Sequence, residues 1–486
     1  MAATTEMTHD EVQRLLAENR ADEQTQEARL RAARGKRMLF VGGDFMYKSF
    51  APSLQRLMKR ARDMGVVIYA VFQSGTEEPT KYFLDVKNGE CFDYELFADV
   101  GAEDGAENIV AALAAVGWTG ELDAVYSMHE ATQPIVAKVQ ALLGLPGNDV
   151  AAYEKARDKF ETRRCLEQNG LNTIKAMQIW RVEDADEAAD RIGFPMIIKP
   201  TVGMGSAGVY RCNNTQELNA ALERLFDDIK TDWFLNRNTI GRQAPILAET
   251  FVLPTIFGGR INEHDCEVLL WDGEAVYSNI IDNFTTRPPY FQEVASLMPT
   301  LMTDEDAQAM KDYAVACVKA MGFTRGGFHV ECWHTNEGPL LIEVNPRVGG
   351  GATVQSHESV WGVNPMFEML LSMLDIPINP PRASAPLCNY GYCLPNADLT
   401  GHLEPKISYL DAAKDLPMHK SSTYFKKGGD FVKGNDKYIA DWLGEVHLSH
   451  SVDKVDELLT AMDKLLLDVS TTAASQTAAP DMPQEE

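Results

Sequence analysis

The sequence predicts an α/β (α+β) protein in which a parallel α/β domain precedes sheets of antiparallel strands. Apolar strand segments alternate with amphipathic helices between residues 36 and 147, and this alternation is typical of a small parallel, Rossmann-like domain. Alternating apolar and polar residues from 246 to 281 indicate antiparallel strands. The segments 328–334 and 339–347, separated by the turn TNEG, predict a β-hairpin.

A single exposed helix is predicted over residues 8–34, where Thr8 and Glu11 have the spacing of a capping box. We expect this helix to pack on the protein or to contact a second copy in a homodimer. The apolar strand RMLFVGGDF (37–45) and the amphipathic helix SLQRLMKRARDMG (53–65) follow it and begin the parallel domain.

The second half of the chain combines strands with longer helices. Helices are predicted at 215–228 and 304–322, between strand segments. Residues 386–470 mix short strands with a closing helix, DKVDELLTAMDKLLLDV. The tail from residue 471 is rich in alanine, threonine, serine and acidic residues, and this composition predicts disorder.

A glycine-rich loop, Gly203–Gly208, follows the buried strand segment that ends at Lys199 and Pro200. The loop matches the G-x-G-x-x-G pattern of dinucleotide-binding folds, but such a loop must be followed by a helix. Here GVYRC follows at once and predicts a strand, so we expect a flap whose backbone N–H groups fold over a triphosphate. Lys199 is placed to meet phosphate oxygens. A surface turn after a buried strand is the alternative interpretation.

Oxygen ligands converge in the predicted hairpin. Glu331 lies on its first strand, and period-two spacing places Glu343, Asn345 and Arg347 on one face of the second. Magnesium prefers such hard oxygen ligands and commonly takes one or two carboxylates together with phosphates. Arg347 is suited to hold a carboxylate or an acyl phosphate. The alternative, a solvated strand face, is disfavoured by the apolar neighbours.

Composition limits the partners and the location. The 71 acidic residues outnumber the 45 basic ones and give a formal charge of −26, which disfavours nucleic acid and acidic membrane surfaces. The eight cysteines include no C-x-x-C pair, which fits a reducing compartment. No apolar stretch approaches the roughly 18 residues of a membrane span, and the first residues lack the apolar centre of a signal peptide. A cytoplasmic protein is expected.

The ordered motifs resemble those of the ATP-grasp superfamily over residues 36 to about 470. The motifs are DK at 158–159, IIKPTVGMGSAGV from 197, AETFV from 248, EHDCEV from 263, VE at 330–331 and EVNPRVGGG from 343. The resemblance implies an α/β domain (36–147), a small domain with the flap (148–252) and a large domain with the metal site (253–385). The sequence pattern adds an N-terminal helical extension (1–35), a C-terminal subdomain (386–470) and a disordered tail (471–486).

The resemblance also implies roles for individual residues. ATP would be bound by Lys159, Lys199, the flap residues Gly203, Gly205, Ser206, Ala207 and Gly208, the hinge residues Glu249, Thr250, Phe251 and Val252, and Glu263, which would accept from the ribose. Glu331, Glu343 and Asn345 would hold magnesium, with manganese as the alternative ion. Arg347 and Lys199 would be catalytic, and Arg347 with the glycines Gly350 and Gly351 would steady the reacting group.

Within the superfamily, residues 263–300 resemble carnosine synthase and the bacterial L-amino acid ligases, including the TRxPxF and MPT elements. Glu293 would then face an amino acid substrate. Many dipeptide ligases carry E-x-x-H at this point, whereas this chain has Ser296 at the histidine position. The identity of the substrate is therefore open.

The implied activity is an ATP- and magnesium-dependent ligation of a carboxylate to an amine, through an acyl phosphate, with small amino acids as substrates. The alternatives are a superfamily member that activates bicarbonate or formate, and an ATP-binding module without turnover. Isolated histidines are expected to be hydrogen-bonded structural residues, namely His264, His329, His334 and His357. Cys266 and Cys332 lack an evident base and are not expected to be nucleophiles.

Overall fold

The computed structural model describes residues 23–42, 51–75, 91–116, 118, 121–203, 205–231, 246–287, 291–436 and 440–478. The predicted capping box at Thr8 and Glu11 and the last residues of the predicted tail lie outside these ranges. Within them, no helix combines the length and the apolar character needed to cross a membrane.

The first sheet is parallel and 4-stranded, in the order β3-β2-β1-β4. Its elements are α1 (Glu23–Ala32), β1 (Arg37–Val41), α2 (Ala51–Asp63), β2 (Val67–Gln73), β3 (Tyr94–Ala98), α3 (Gly105–Ala115), β4 (Ala124–Tyr126) and α4 (Gln133–Leu143). Residues 38–41 of β1 are buried because apolar clusters cover both faces of the sheet. The predicted parallel sheet is confirmed.

The second sheet is antiparallel and 4-stranded, in the order β5-β8-β6-β7. Its elements are α5 (Val150–Arg157), α6 (Lys159–Gln168), β5 (Ala176–Ile179), α7 (Ala185–Ile192), β6 (Met196–Pro200), β7 (Tyr210–Cys212), α8 (Thr215–Thr231) and β8 (Ile246–Thr250). Strand β7 follows the glycine loop directly, where a dinucleotide-binding loop requires a helix. The glycine loop therefore connects two strands, as predicted.

The third sheet is 8-stranded, in the order β13-β12-β9-β10-β11-β14-β18-β16, and all its pairs are antiparallel. The remaining elements are β9 (Ile261–Trp271), β10 (Glu274–Phe284), β11 (Ala295–Met298), α9 (Asp304–Ala320), β12 (Gly326–Thr335), β13 (Gly338–Asn345), α10 (Thr353–Trp361), α11 (Pro365–Met373), β14 (Asn389–Cys393), β15 (Gly401–Leu403), β16 (His419–Tyr424), β17 (Phe431–Val432), β18 (Gly444–His450), α12 (Val455–Ser475) and β19 (Thr477–Ala478). The predicted β12–β13 hairpin is confirmed. Strands from the predicted C-terminal subdomain continue the sheet of the predicted large domain.

Helix α1 is fastened to helix α11 and to the loop after it. The buried Arg29 pairs with Glu368 of α11 and donates to the carbonyls of Pro377 and Asn379 at 2.9 and 2.7 Å. Gln26 also donates to the Asn379 carbonyl at 2.7 Å. This part of the predicted N-terminal helix thus packs on its own chain. Contact with a second copy stays a prediction.

The prediction that disorder begins at residue 471 was wrong. Helix α12 continues to Ser475, and β19 pairs with β15 in a small 3-stranded sheet. Val469 and Ala473 are one turn apart on the buried face of the helix. Because alanine favours helix and a single small apolar stripe is sufficient to dock it, the low-complexity composition was misleading here.

Candidate active site

Acidic side chains lie opposite one another across three neighbouring strands of the 8-stranded sheet. The register places Glu343 of β13 opposite Glu331 of β12, and Glu331 opposite Asp265 of β9. Directly opposite residues of antiparallel strands point to the same face, with Cβ atoms about 5 Å apart. The adjacent row consists of Asn345, His329 and Glu267. We call these two rows the acidic patch.

The three predicted metal ligands lie together in the acidic patch. Asn345 Nδ2 is 3.1 Å from Oε1 of Glu331 and 3.3 Å from Oε1 of Glu343. Burial and the charge of Glu343 raise the pKa of Glu331 well above its ordinary value. Burial alone would also raise the pKa of Glu343, but the paired Lys159 ammonium outweighs it and lowers that pKa to about 2. The two facing carboxylates therefore lie in different electrostatic surroundings.

Lys199 is held by a buried ion-pair network. Its ammonium pairs with Glu249 of β8, and Arg163 of α6 lies 3.2 Å from the other oxygen of the same carboxylate. Arg163 also donates to the Ile342 carbonyl of β13 at 2.8 Å. Burial lowers the pKa of Lys199 more than the Glu249 charge raises it. The network fixes Lys199 on the strand that enters the flap.

The predicted adenine hinge, Glu249–Val252, spans the end of β8. The Glu249 carboxylate is committed to cations, as described above. The backbone N–H groups of Thr250 and Phe251 donate to the carbonyls of Lys175 and Pro195 at 3.1 and 3.2 Å. Leu253, the next residue, is 79% exposed. The contact of this segment with adenine stays a prediction.

Arg347 faces a carboxylate that no sequence motif indicated. Its Nη2 lies 3.1 Å from Oε2 of Glu130, and its Nη1 donates to the Val348 carbonyl at 3.1 Å. The other oxygen of Glu130 accepts from Arg157. Glu130 follows β4 in the short 3-10 segment Glu130–Thr132 and is buried. A residue that follows a strand of the first sheet therefore reaches the predicted catalytic arginine.

A pocket of about 160 Å³ opens over the acidic patch. The predicted site residues that line it are Gly205, Glu293, Glu331, Glu343, Arg347, Gly350 and Gly351. Residues that were not predicted also line it, among them Glu130, Asp265, His329, Tyr392 and Trp442. The two lysines, the hinge and Glu263 are not part of its lining. The structure thus brings Glu331, Glu343, Arg347 and the predicted substrate residues together around one pocket, whereas Lys159 and Lys199 do not line it.

The flap lies at the edge of this pocket. Ser206 donates to the Phe291 carbonyl of the loop before β11 at 3.1 Å. Gly205 and Gly208 have φ of 59° and 74°, and a Cβ at Gly208 would lie 2.9 Å from Leu225 Cδ1. Glycine at 205 and 208 therefore suits a left-handed backbone, which other residues adopt reluctantly. Gly203 and Ala207 are the other described residues of the predicted flap. That the flap covers ATP stays a prediction.

Two further predicted residues are glutamates with raised pKa values. Burial, followed by the charge of Asp265, raises the pKa of Glu263 well above its ordinary value. Glu293 is accessible from the pocket. The surrounding protein nevertheless limits its hydration, and this desolvation, followed by the charge of Asp265, raises the pKa of Glu293 to about 7. Glu263 therefore lies among carboxylates, and its contact with ribose stays a prediction.

His329 has a larger part in the site than the sequence indicated. It is hydrogen-bonded to Glu267, as expected of a structural histidine, but its Nε2 is also 3.6 Å from Asp265 and 3.7 Å from Glu331. Burial alone would lower its pKa, but Asp265 and Glu267 outweigh burial and raise that pKa to about 9. Its position two residues before Glu331 on the same strand face was the available signal.

The other histidines and the two cysteines behave as expected. The hydrogen-bonded pairs are His264 with Asp282 at 2.8 Å, His334 with Thr255 at 3.2 Å and His357 with Tyr277 at 2.5 Å. Cys266 and Cys332 are fully buried, and burial raises the pKa of both thiols. Buried thiols with raised pKa values are poor nucleophiles.

Comparison with known proteins places this geometry in a known fold. Residues 192–356 match the family model described as ATP-grasp domain. The structure resembles the crystal structure of an L-amino acid ligase from Bacillus licheniformis, with a TM-score of 0.71, 22% identity, and coverage of 89% of this chain and 98% of that chain. The chain has an ATP-grasp fold.

Relatives in sequence are named as a synthase and a ligase. The chain is 27% identical over 360 residues to carnosine synthase 1 of Gallus gallus, covering 72% of this chain. It is 27% identical over 300 residues to alanine–anticapsin ligase of Bacillus amyloliquefaciens, covering 60% of this chain and 62% of that protein. The resemblance predicted from the motifs is confirmed. The match spans 36% of the length of the Gallus gallus protein.

Proposed function

We propose that this ATP-grasp protein is an ADP-forming carboxylate–amine ligase that joins small amino acids through an acyl phosphate. The observation that carries the proposal is the convergence of Glu331, Glu343 and Arg347 on one pocket, with Asn345 hydrogen-bonded to both glutamates. The names of the relatives support the same class of reaction. The substrates are a small-molecule carboxylate and an amine, and the protein is cytoplasmic.

The donor set of the acidic patch fits magnesium, with manganese as a second candidate ion. Two carboxylates and one amide supply hard oxygen atoms, and such a set leaves room for phosphate oxygens and water around a magnesium ion. Among the described residues, no group of three or more histidine, cysteine, aspartate or glutamate side chains has the geometry of a metal site by itself. Glu331 and Glu343 lie directly opposite each other in the hairpin. Bound magnesium would supply charge neutralisation at the transferred phosphoryl group.

The lysines and the flap are assigned to ATP. Lys159 and Lys199 supply positive charge beside the acidic patch, in a chain whose overall charge repels anions. In this arrangement both ammonium groups are paired with carboxylates, Glu343 and Glu249. Phosphate oxygens would therefore compete with these carboxylates for the lysines. The flap from Gly203 to Gly208 would exclude water, which protects an acyl phosphate from hydrolysis.

Arg347 and the segment after it are assigned to the reacting acyl group. The guanidinium lines the pocket, and Glu130 holds one of its nitrogen atoms. A planar donor fork in this position stabilises negative charge that develops on the acyl oxygen. Gly350 and Gly351 line the same pocket and leave its floor open. Glu293 lines the pocket as well and is assigned to the amino acid.

The test is ADP and phosphate release from ATP and magnesium across a panel of amino acid pairs, with mass spectrometry of the products. Release that requires two amino acids, together with a dipeptide mass, is the expected result. Release that depends on bicarbonate or formate would favour another ATP-grasp reaction. Tight ATP binding without turnover for any pair would overturn the proposed ligase activity.

A further inference from the structure

Beside the acidic patch, the same face of the sheet carries a row of polar and aromatic residues. Asn283 of β10 lies opposite Ser296 of β11, Ser296 lies opposite Tyr392 of β14, and Tyr392 lies opposite His447 of β18. These side chains share one face, because opposite residues of antiparallel strands point the same way. Asn283 donates to Asp265 of the acidic patch at 2.7 Å. The two sets of residues therefore form one continuous surface under the pocket.

At the far end of this surface, the described side chains that line the pocket are uncharged. They are Tyr392, Leu394, Phe425 and Trp442. They belong to an apolar cluster that is distinct from the polar groups of the acidic patch. We call Tyr392, Leu394, Phe425 and Trp442 the aromatic subsite. The pocket thus changes from acidic to apolar along the sheet.

The ring of Tyr392 is fixed in place. Its hydroxyl donates to Oε2 of Glu445 at 3.0 Å, and its ring centroid is 4.9 Å from that of His447. On the opposite side lies Gly351, where a Cβ would be 3.1 Å from Tyr392 Cε1. The absence of a side chain at Gly351 therefore gives the ring its space. The Tyr392 hydroxyl is hydrogen-bonded to Glu445, so the ring rather than the hydroxyl is offered to a ligand.

Trp442 connects the aromatic subsite to the predicted substrate residue. Its indole N–H donates to the Glu293 carbonyl at 3.2 Å, and the Asn396 amide donates to the same oxygen at 3.0 Å. The apolar wall is therefore held at a fixed separation from the backbone of Glu293, whose side chain also lines the pocket. A ligand that contacts both must have a polar end and an apolar end.

We propose that the aromatic subsite takes the side chain of a bulky, uncharged amino acid, such as leucine, methionine or phenylalanine. The proposal rests on the ligase function proposed above and names one of its substrates. A cavity of about 150 Å³ takes up benzene, and the whole pocket, from the acidic patch to the aromatic subsite, has about 160 Å³. It accommodates a ring-sized group but not a longer peptide. Apolar contact favours such a side chain, whereas a charged one would lose hydration without a partner.

The test measures kcat/KM for the varied amino acid in the full-length protein, with ATP and magnesium saturating. We expect leucine, methionine or phenylalanine to exceed glycine and alanine by at least about 10-fold, since each methylene in an apolar pocket is worth about 10-fold or more. Tyr392→Ala and Phe425→Ala should each reduce this preference about 10-fold and leave the KM for ATP unchanged. Tyr392→Phe keeps the ring and should keep the preference.

Tyr94→Ala is the matched control, because Tyr94 is 53% exposed on β3 of the first sheet. Thermal unfolding establishes that each variant folds, and Phe425→Ala serves if Tyr392→Ala does not. A wild type that turns over but prefers glycine, alanine or a charged amino acid overturns the aromatic subsite alone. So does an unchanged preference in the folded alanine variants. A wild type without amino-acid-dependent ADP formation overturns the ligase function and this inference together.

Discussion

Arg163 of α6 and Glu249 of β8 form a buried ion pair, with Nη2 and Oε2 3.2 Å apart. The same guanidinium donates to the Ile342 carbonyl of β13 at 2.8 Å, and the same carboxylate pairs with Lys199. The sheet that carries the flap lysine is thereby joined to the strand that carries Glu343. Relative displacement of the two sheets would break a hydrogen bond or an ion pair that is sheltered from water.

Replacing Arg163 by methionine should destabilise the protein. Glu249 is 1% exposed and would lose one of its two cationic partners. Removing one partner of a buried pair typically costs about 3–5 kcal/mol, and we expect the free energy of unfolding in urea to fall by about 3 kcal/mol. Arg191→Met, which removes the exposed pair with Glu187, is the control and should cost less than about 1 kcal/mol. Equal, small losses for both variants would contradict the role of Arg163.

Arg347→Ala should retain ATP binding and lose ligation. The guanidinium lines the pocket, whereas the lysines assigned to the phosphates do not. Removing one donor that stabilises developing negative charge costs about 100- to 1,000-fold in kcat. ADP formation and the Kd for ATP are the two measurements. Arg181→Ala, at a side chain that is 73% exposed, is the control. Ligation close to that of the wild type would refute the assignment of Arg347.

Glu343→Gln should weaken the response to magnesium. The substitution removes the charge of one predicted ligand but keeps its size, and it leaves Lys159 without its paired carboxylate. We expect the magnesium concentration for half-maximal ADP formation to rise at least about 10-fold. The stabilisation of the thermal transition by magnesium with ADP should decrease as well. Glu337→Gln, in the exposed turn of the same hairpin, should change neither quantity. A wild-type magnesium response in Glu343→Gln would place the ion elsewhere.

The free energy of unfolding should fall in mild acid, because His357 binds a proton more readily in the unfolded chain than in the folded one. This histidine is fully buried and hydrogen-bonded to Tyr277, and burial, followed by the charge of His329, lowers its pKa from 6.5 to about 3. Below the ordinary pKa the unfolded chain binds a proton that the folded chain does not, so stability decreases as the pH falls. Between pH of about 7 and about 5 we expect a loss of roughly 2 kcal/mol from this group.

Urea denaturation at both pH values measures this loss, and His357→Gln should reduce the pH dependence by that amount. His402→Gln is the control, since His402 is largely exposed beside Phe431 on the small sheet. An unchanged pH dependence in His357→Gln would mean that other groups cause the acid destabilisation.

The parts of the site that local pattern encodes could be predicted from the sequence. Glu331, Glu343 and Asn345 lie in one hairpin, where strand period and a short turn determine which side chains meet. The strand after Gly208 likewise depends only on neighbouring residues. Such features require no knowledge of how distant segments pair.

Residues that reach the site through distant packing were not predictable in this way. Glu130 follows a strand of another sheet, and Tyr392 reaches the pocket through the register of β11 with β14. The pairing of Lys199 with Glu249 also depends on β6 lying beside β8. A single sequence contains the residues for these contacts but no local signal for the pairing itself.

The division of the 8-stranded sheet has an evolutionary consequence. Strands β9, β12 and β13 carry the acidic patch, whereas β14 and β18 carry Tyr392 and the groups that hold it, and only β10 and the four residues of β11 lie between them. Substitutions at the aromatic end can accumulate without disturbing the reacting groups. Chimeras that exchange the strands from β14 onward among related chains would thus be a direct route to new substrate ranges of the proposed ligase, with the acidic patch and Arg347 inherited intact.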